Sequence, residues 1–393
     1  MKTWPKVKLG DVCEIARGGS PRPIADYITD SPDGVNWIKI GDADENDKYI
    51  LSAKQKIKPE GVKKSRFVRS GDFLLSNSMS FGRPYILAID GCIHDGWLTL
   101  RDKAQYFTPD YLYYALSSQA VYRQFQLLAV GGVVNNLNSE TVKKVAFPLP
   151  PLEEQERIAA ELDAVVATLK KRQTQLAELD ALVEARFVEL FGEPLVNSRG
   201  WKIKKLDELY EIIDGDRGKC YPKQEEFLTE GHCLFLNAKN VTKNGFCFAE
   251  RLFITREKDE ILRTGKLKKN DIVLTTRGTI GNVAYYDSSV SFEHIRINSG
   301  MVLLRNCSSG VSMPYFIEFF RRFKPFQRLI TGTAQPQLPI SLLRQIDVPT
   351  PPLELQERFA AEVERVEALK VKVRDGIAET QTLFDALTQG YFG

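Results

Sequence analysis

The sequence predicts two α/β (α+β) domains alternating with two long helices that pair as an antiparallel coiled coil. Three observations carry this. The chain has 393 residues, too many for one ordinary core. Its charge alternates, with net +4 over residues 1–151, −4 over 152–191, +6 over 192–352 and −3 over 353–393. It is also one unit written twice. Pro148-Leu149-Pro150-Pro151-Leu152-Glu153-Glu154-Gln155-Glu156-Arg157-Ile158 returns 201 residues later as Pro349-Thr350-Pro351-Pro352-Leu353-Glu354-Leu355-Gln356-Glu357-Arg358-Phe359.

The first basic block, residues 1–151, opens with Trp4, Lys8, Leu9, Glu14, Ile15 and Gly18, which match Trp201, Lys205, Leu206, Glu211, Ile212 and Gly215. Within it, β-rich runs at 35–40, 72–75 and 85–89 are broken by Gly, Pro, Asn and Ser, and a helix is expected from Pro109. The acidic segment 152–191 follows a Pro-Pro pair, which precedes a helix but cannot continue one, and its Glu-rich start suits the positive end of the helix dipole. Ile158, Leu162, Val165, Leu169, Leu176, Leu179, Val183 and Phe187 step by threes and fours, with a break at Arg172, as a coiled-coil seam does.

The second basic block, 192–352, repeats the scheme, with strands at 234–236, 271–275 and 283–286 and a helix from Pro314. Asp72, Leu75 and Gly82 match Asp271, Leu274 and Gly281. The last segment, 353–393, carries the second seam: Phe359, Val363, Val366, a break at Lys370, then Val373, Ile377 and Phe384. About 40 residues give on the order of 60 Å of helix. The economical packing lays the two seams against each other.

Composition excludes several classes. With 43% apolar and 27% charged residues the chain is globular. No apolar run reaches the roughly 20 residues of a membrane span. The N-terminus lacks a signal peptide's apolar region, which places the protein in the cytoplasm. The six cysteines form no C-x-x-C pair, so neither a disulfide framework nor a structural zinc site is expected. There is no phosphate-binding G-x-x-x-x-G-K-[ST] loop, no dinucleotide G-x-G-x-x-G, and no E-x-K or D-x-K of a metal-dependent nuclease. Ser312-Met313-Pro314-Tyr315 only echoes a methyltransferase motif; its partner Thr108-Pro109-Asp110-Tyr111 reads as a helix start. His94-Asp95 and Glu293-His294 read as one structural histidine per domain. The chain is expected to catalyse nothing by itself.

Two basic blocks, each closed by a P-x-P-P-L-x-x-Q-x-R helix, resemble the specificity (S) subunit of type I restriction-modification enzymes, a phage-defence system. The resemblance covers essentially the whole chain. It also rests on Gly71-Asp72-Phe73-Leu74-Leu75 with Asn270-Asp271-Ile272-Val273-Leu274, the loop Thr276-Arg277-Gly278-Thr279-Ile280-Gly281, and Gly332-Thr333-Ala334-Gln335-Pro336-Gln337-Leu338. The first domain departs at Asn77-Ser78-Met79-Ser80-Phe81-Gly82-Arg83, which lacks the Arg-Gly pair. Membership implies two target-recognition domains spaced by the helix pair, bound to double-stranded DNA, two methyltransferase (M) subunits and motor-nuclease (R) subunits. It implies S-adenosylmethionine for the M subunits and ATP with magnesium for the R subunits, and no cofactor or metal on this chain.

Lysine and arginine supply phosphate contacts, and Arg, Asn and Gln supply base-edge contacts. The candidate contacts in the first domain are Gly18, Ser20, Arg22, Lys39, Arg66, Asn77, Arg83, Asn135 and Asn136. Those in the second are Arg217, Lys219, Lys239, Arg277, Thr279, Gln335 and Gln337. Because the two sets differ, the expected target is non-palindromic, with unlike half-sites around a non-specific spacer. The competing readings are a DNA-binding methyltransferase or nuclease fusion and a coiled-coil scaffold that binds no DNA.

Overall fold

The protein is described from a computed structural model, over residues 4–45, 47–77, 81–128, 137–308, 310–332 and 335–393. It divides into two compact units, Met1–Thr174 with Arg374–Gly393, and Gln175–Val373.

In the first unit, strand Lys6–Lys8 pairs antiparallel with Ala146–Pro148, so the opening and closing motifs of the repeat lie side by side. The second unit does the same with Ile203–Lys205 and Asp347–Pro349. Among the described residues the first unit has two five-stranded sheets. One runs Cys13–Arg17, Trp97–Asp102, Phe73–Ser76, Pro84–Leu87, Tyr49–Ile50; the other runs Ile28–Thr29, Gln55–Ile57, Val35–Ile38, Gly91–Ile93, Arg66–Val68. The second unit keeps a smaller version: Tyr210–Asp214, Met301–Asn306, Ile272–Thr275 and Val283–Tyr285 in one sheet, Phe253–Ile254, Cys233–Leu236 and Ile295–Ile297 in the other.

The repeated framework residues have structural causes. Asp72 accepts the Arg69 backbone N–H at 3.0 Å and takes a two-pronged bond from Arg101; Asp271 does the same with Lys268 at 2.8 Å and with Arg305. The residue before each aspartate, Gly71 or Asn270, turns through positive φ (91° and 73°), a conformation open to Gly and Asn. Gln155 is fully buried at the start of the first long helix, Leu152–Phe191. Its Oε1 accepts the Thr108 N–H and its Nε2 donates to the carbonyls of Tyr106 and Pro150, each at 2.9 Å. Gln356 repeats this at the start of the second long helix, Leu353–Phe392, with Ser312, Gly310 and Pro351. These amides bind each helix start to its own domain. Gln155→Leu is expected to cost about 1–3 kcal/mol by orphaning buried backbone groups, read as a lower denaturation midpoint.

The helices run antiparallel within each unit, and no predicted seam residue is exposed: Ile158, Leu162, Val183, Phe187, Phe359 and Val366 are buried, the others half-buried. Within each unit the seams pack on each other as expected, and each is also built into a domain core. Ile158 and Leu162 belong to the first domain's core with Leu9, Tyr111, Phe147 and Phe392. Val183 and Phe187 belong to the second's with Tyr315, Phe319 and Phe359. A two-helix seam leaves much apolar surface wet, and Tyr111 and Tyr315 on the helices Pro109–Ser117 and Met313–Glu318 cover it. Both breaks in the seam make cross-helix polar contacts. Arg172 donates to the Gly376 carbonyl and Thr380 hydroxyl, and Lys370 Nζ reaches Asp180 across the pair at 2.8 Å while also meeting Glu367 of its own helix at 2.6 Å. Such groups set register.

Candidate nucleic-acid interface

In the first unit the candidate residues gather around one loop, His94-Asp95-Gly96, between strands Gly91–Ile93 and Trp97–Asp102. Ser20 Oγ donates to Asp95 Oδ1 at 2.9 Å and Arg22 lies 3.4 Å from Oδ2. Arg17 Nε and Asn77 Nδ2 donate to the Asp95 carbonyl at 3.0 and 2.9 Å, and Arg66 Nε donates to the Arg17 carbonyl at 2.6 Å. Gly18 is a glycine because a Cβ there would strike the His94 carbonyl. Burial by itself would raise the Asp95 carboxyl, but the Ser20 hydroxyl, His94 and Arg17 hold it below the usual range. A cleft of about 820 Å³ opens beside the loop, with buried Trp37 in its wall and Arg22, Lys39, Gln55, His94 and Asp95 around it.

Two first-domain candidates lie differently from expectation. Asn77 is 1% exposed and spends its amide on the loop backbone, so it supports the site rather than facing outward. Arg83 lines another cleft, over the Tyr85 ring and with Lys48 and Tyr113. Asn135 and Asn136 lie outside the described residues. His94 is hydrogen-bonded, as expected of a structural histidine, with Nε2 3.0 Å from Asp95 and Nδ1 accepting the Gly96 N–H, while its side chain is 41% exposed. His294 does not pair with Glu293 but lies on His232, ring centroids 4.2 Å apart.

The second unit builds the same hub from Asn298-Ser299-Gly300. Gly215 sits against the Asn298 carbonyl as Gly18 does against His94. Arg217 Nη2 donates to the Ser299 carbonyl at 3.2 Å, and the Thr276 and Arg277 N–H groups both donate to Gly300. Arg277 bridges to Gln337, which in turn bridges to Thr331, so these residues lie beside the 276–281 loop. The Arg277 side chain is exposed and has no hydrogen bond or ion pair among the described residues, and the same holds for Lys219. Lys239 is held by Glu250 at 2.8 Å. Thr279 and Gln335 are exposed.

Sequence reasoning misses Ser299, Gln55 and Arg17, and takes Asp95 only as the neighbour of a structural histidine. Of residues 54–69 it singles out Arg66 alone, although Lys54, Lys56, Lys58, Lys63, Lys64, Arg66 and Arg69 stand there against the single acidic Glu60. That run was a readable signal, hidden because charge was averaged over a whole block that includes the acidic residues at 42–47. The described residues offer no group of three or more His, Cys, Asp or Glu placed to hold a metal. Burial pushes the Cys13 and Cys233 thiols up to about 12, leaving them inert. No described helix is long and apolar enough to cross a membrane.

A family profile for the type I restriction modification DNA specificity domain matches residues 1–180 and again 198–379. The chain belongs to that family. Its two specificity domains are the two halves of the repeat, and the hub loops lie one in each. The MjaIX specificity subunit of Methanocaldococcus jannaschii is 24% identical over 91% of this chain and 85% of its own length. The EcoBI specificity subunit of Escherichia coli is 21% identical over 98% and 84%. Among solved structures, a chain of a type I restriction-modification system superposes with a TM-score of 0.64 at 20% identity, covering 99% of this chain and 97% of that one. The specificity subunit from M. genitalium gives 0.52 at 17%, covering 99% and 96%. These likenesses agree on the fold of a specificity subunit.

Proposed function

We propose that the chain reads a bipartite, asymmetric duplex target, one half-site per specificity domain, and does no chemistry itself. Methyl transfer and cleavage then fall to separate M and R subunits, which use S-adenosylmethionine, ATP and magnesium. One observation carries the reading. The two domains present a like-built hub with unlike side chains: Ser20, Arg22, Lys39 and His94 around Asp95 in one, Arg217, Arg277 and Gln337 around Ser299 in the other. Side-chain donors and acceptors decide which base edge is read, so unlike hubs select unlike half-sites.

Arg277→Ala tests this in the complex with an M subunit. Binding to duplexes with each half-site scrambled in turn should fall by about 1–3 kcal/mol, and only through one half-site, if Arg277 meets a guanine. A palindromic target, or loss through both halves equally, would overturn the proposal. So would methyl transfer by the purified chain alone.

A further inference from the structure

We infer that the cleft beside Asp95 reads a guanine in the first domain's half-site, through Gln55 and Lys39 acting as one unit. This rests on the DNA-reading function proposed above and adds the residue pair and the base. Gln55 opens the strand Gln55–Ile57 and lies opposite Trp37 on Val35–Ile38, while Lys39 follows that second strand and caps the turn Ile40–Asp42. Gln55 and Lys39 are each half-buried at the cleft wall. The Lys39 Nζ donates to Gln55 Oε1 at 2.7 Å.

That bond determines the chemistry. A free glutamine amide offers one acceptor and two donors, the complement of adenine N6–H and N7. Here an ammonium occupies the oxygen. Its charge makes Oε1 a poor acceptor for the positively polarised N6 hydrogens of adenine. The oxygen keeps a second lone pair, weakened beside the ammonium, so the pair presents mainly donors: the two N–H of Gln55 and the remaining two of Lys39. A donor-rich pair matches an acceptor-only edge, and guanine O6 with N7 is that edge in the major groove. Arg22, 81% exposed at the mouth, adds further donors.

The surroundings favour a base edge over a phosphate. The Asp95 carboxylate, its pKa held below the usual range, lines the same cleft and repels a phosphate from it. Phosphates have their own partners outside: Lys54, Lys58, Lys63, Lys64, Arg66 and Arg69 are exposed along the run that includes Gln55.

The test uses the full complex with its M subunit and a set of duplexes varied one base pair at a time across both half-sites. The wild type should require guanine at one position of the first domain's half-site, other bases losing on the order of 10- to 100-fold. Lys39→Met frees Oε1 and should move the preference at that position to adenine. Gln55→Ala should lose discrimination there, and Gln55→Glu, an acceptor of the same shape, should reject guanine. The second half-site should be read unchanged in all three, which also shows that the variants are folded. A selective wild type whose base preferences survive in every variant, or variants that weaken all duplexes uniformly, would overturn this inference alone. A wild-type complex with no sequence selectivity would remove the proposed function and the inference with it.

Discussion

Leu162→Asp is expected to unfold the first unit and abolish recovery of its complex with an M subunit. Leu162 is fully buried in the cluster that holds Leu9, Tyr111, Phe147 and Phe392. Removing a buried leucine costs about 2–5 kcal/mol, and an unpaired carboxylate in its place adds to that. The sum rivals the roughly 5–15 kcal/mol that holds a domain together. Val165→Asp, one turn on and half-buried, should cost only about 1–2 kcal/mol. Urea titrations of the two variants measure the difference. Equal midpoints would mean that the helix start is not a core element.

Asp259→Ala should destabilise the second unit by about 3–5 kcal/mol at neutral pH. The Asp259 side chain is 1% exposed; one oxygen accepts from Arg296 Nε and the other from Lys266 Nζ at 2.5 Å. Arg296 is nearly as buried, its other N–H groups spent on the carbonyls of Thr264, Asp259 and Leu262. Removing the carboxylate leaves that guanidinium buried without a counter-charge. Burial alone would raise the Asp259 carboxyl, yet the bonds from Lys266 and Arg296 hold it below its ordinary value. A lowered folded-state pKa means stability that is fully present above the unfolded value near 4 and lost as pH falls through the folded one. The gap between wild type and variant should therefore be full at pH 7 and shrink below about pH 4. Unfolding free energies from pH 7 to 3 measure it, and a gap that widens in acid would contradict the ion pair.

Helices from Leu152 and Leu353 were legible because each seam recurs over about seven to eight turns and follows a proline pair that cannot lie inside a helix. Asp72 and Asp271 were visible as repeated letters, but their partners Arg101 and Arg305 were not, since each pair joins neighbouring strands far apart in sequence. The buried glutamines Gln155 and Gln356 were likewise part of a motif without a role. Their role is a backbone clamp on residues more than forty positions away.

The candidate site divides along the same line. By itself the sequence determined the duplication, the charge alternation, the two helices and a set of polar loop residues, all of which are local or periodic properties. Only the tertiary structure decided that Arg17, Ser20, Arg22 and Asn77 converge on Asp95, that Lys39 occupies the Gln55 oxygen, and that Arg83 lies in another cleft. Periodicity reports which face of an element is buried. It carries no information about which loops meet when strands from distant parts of the chain pair, and those meetings determine which donors and acceptors a ligand finds.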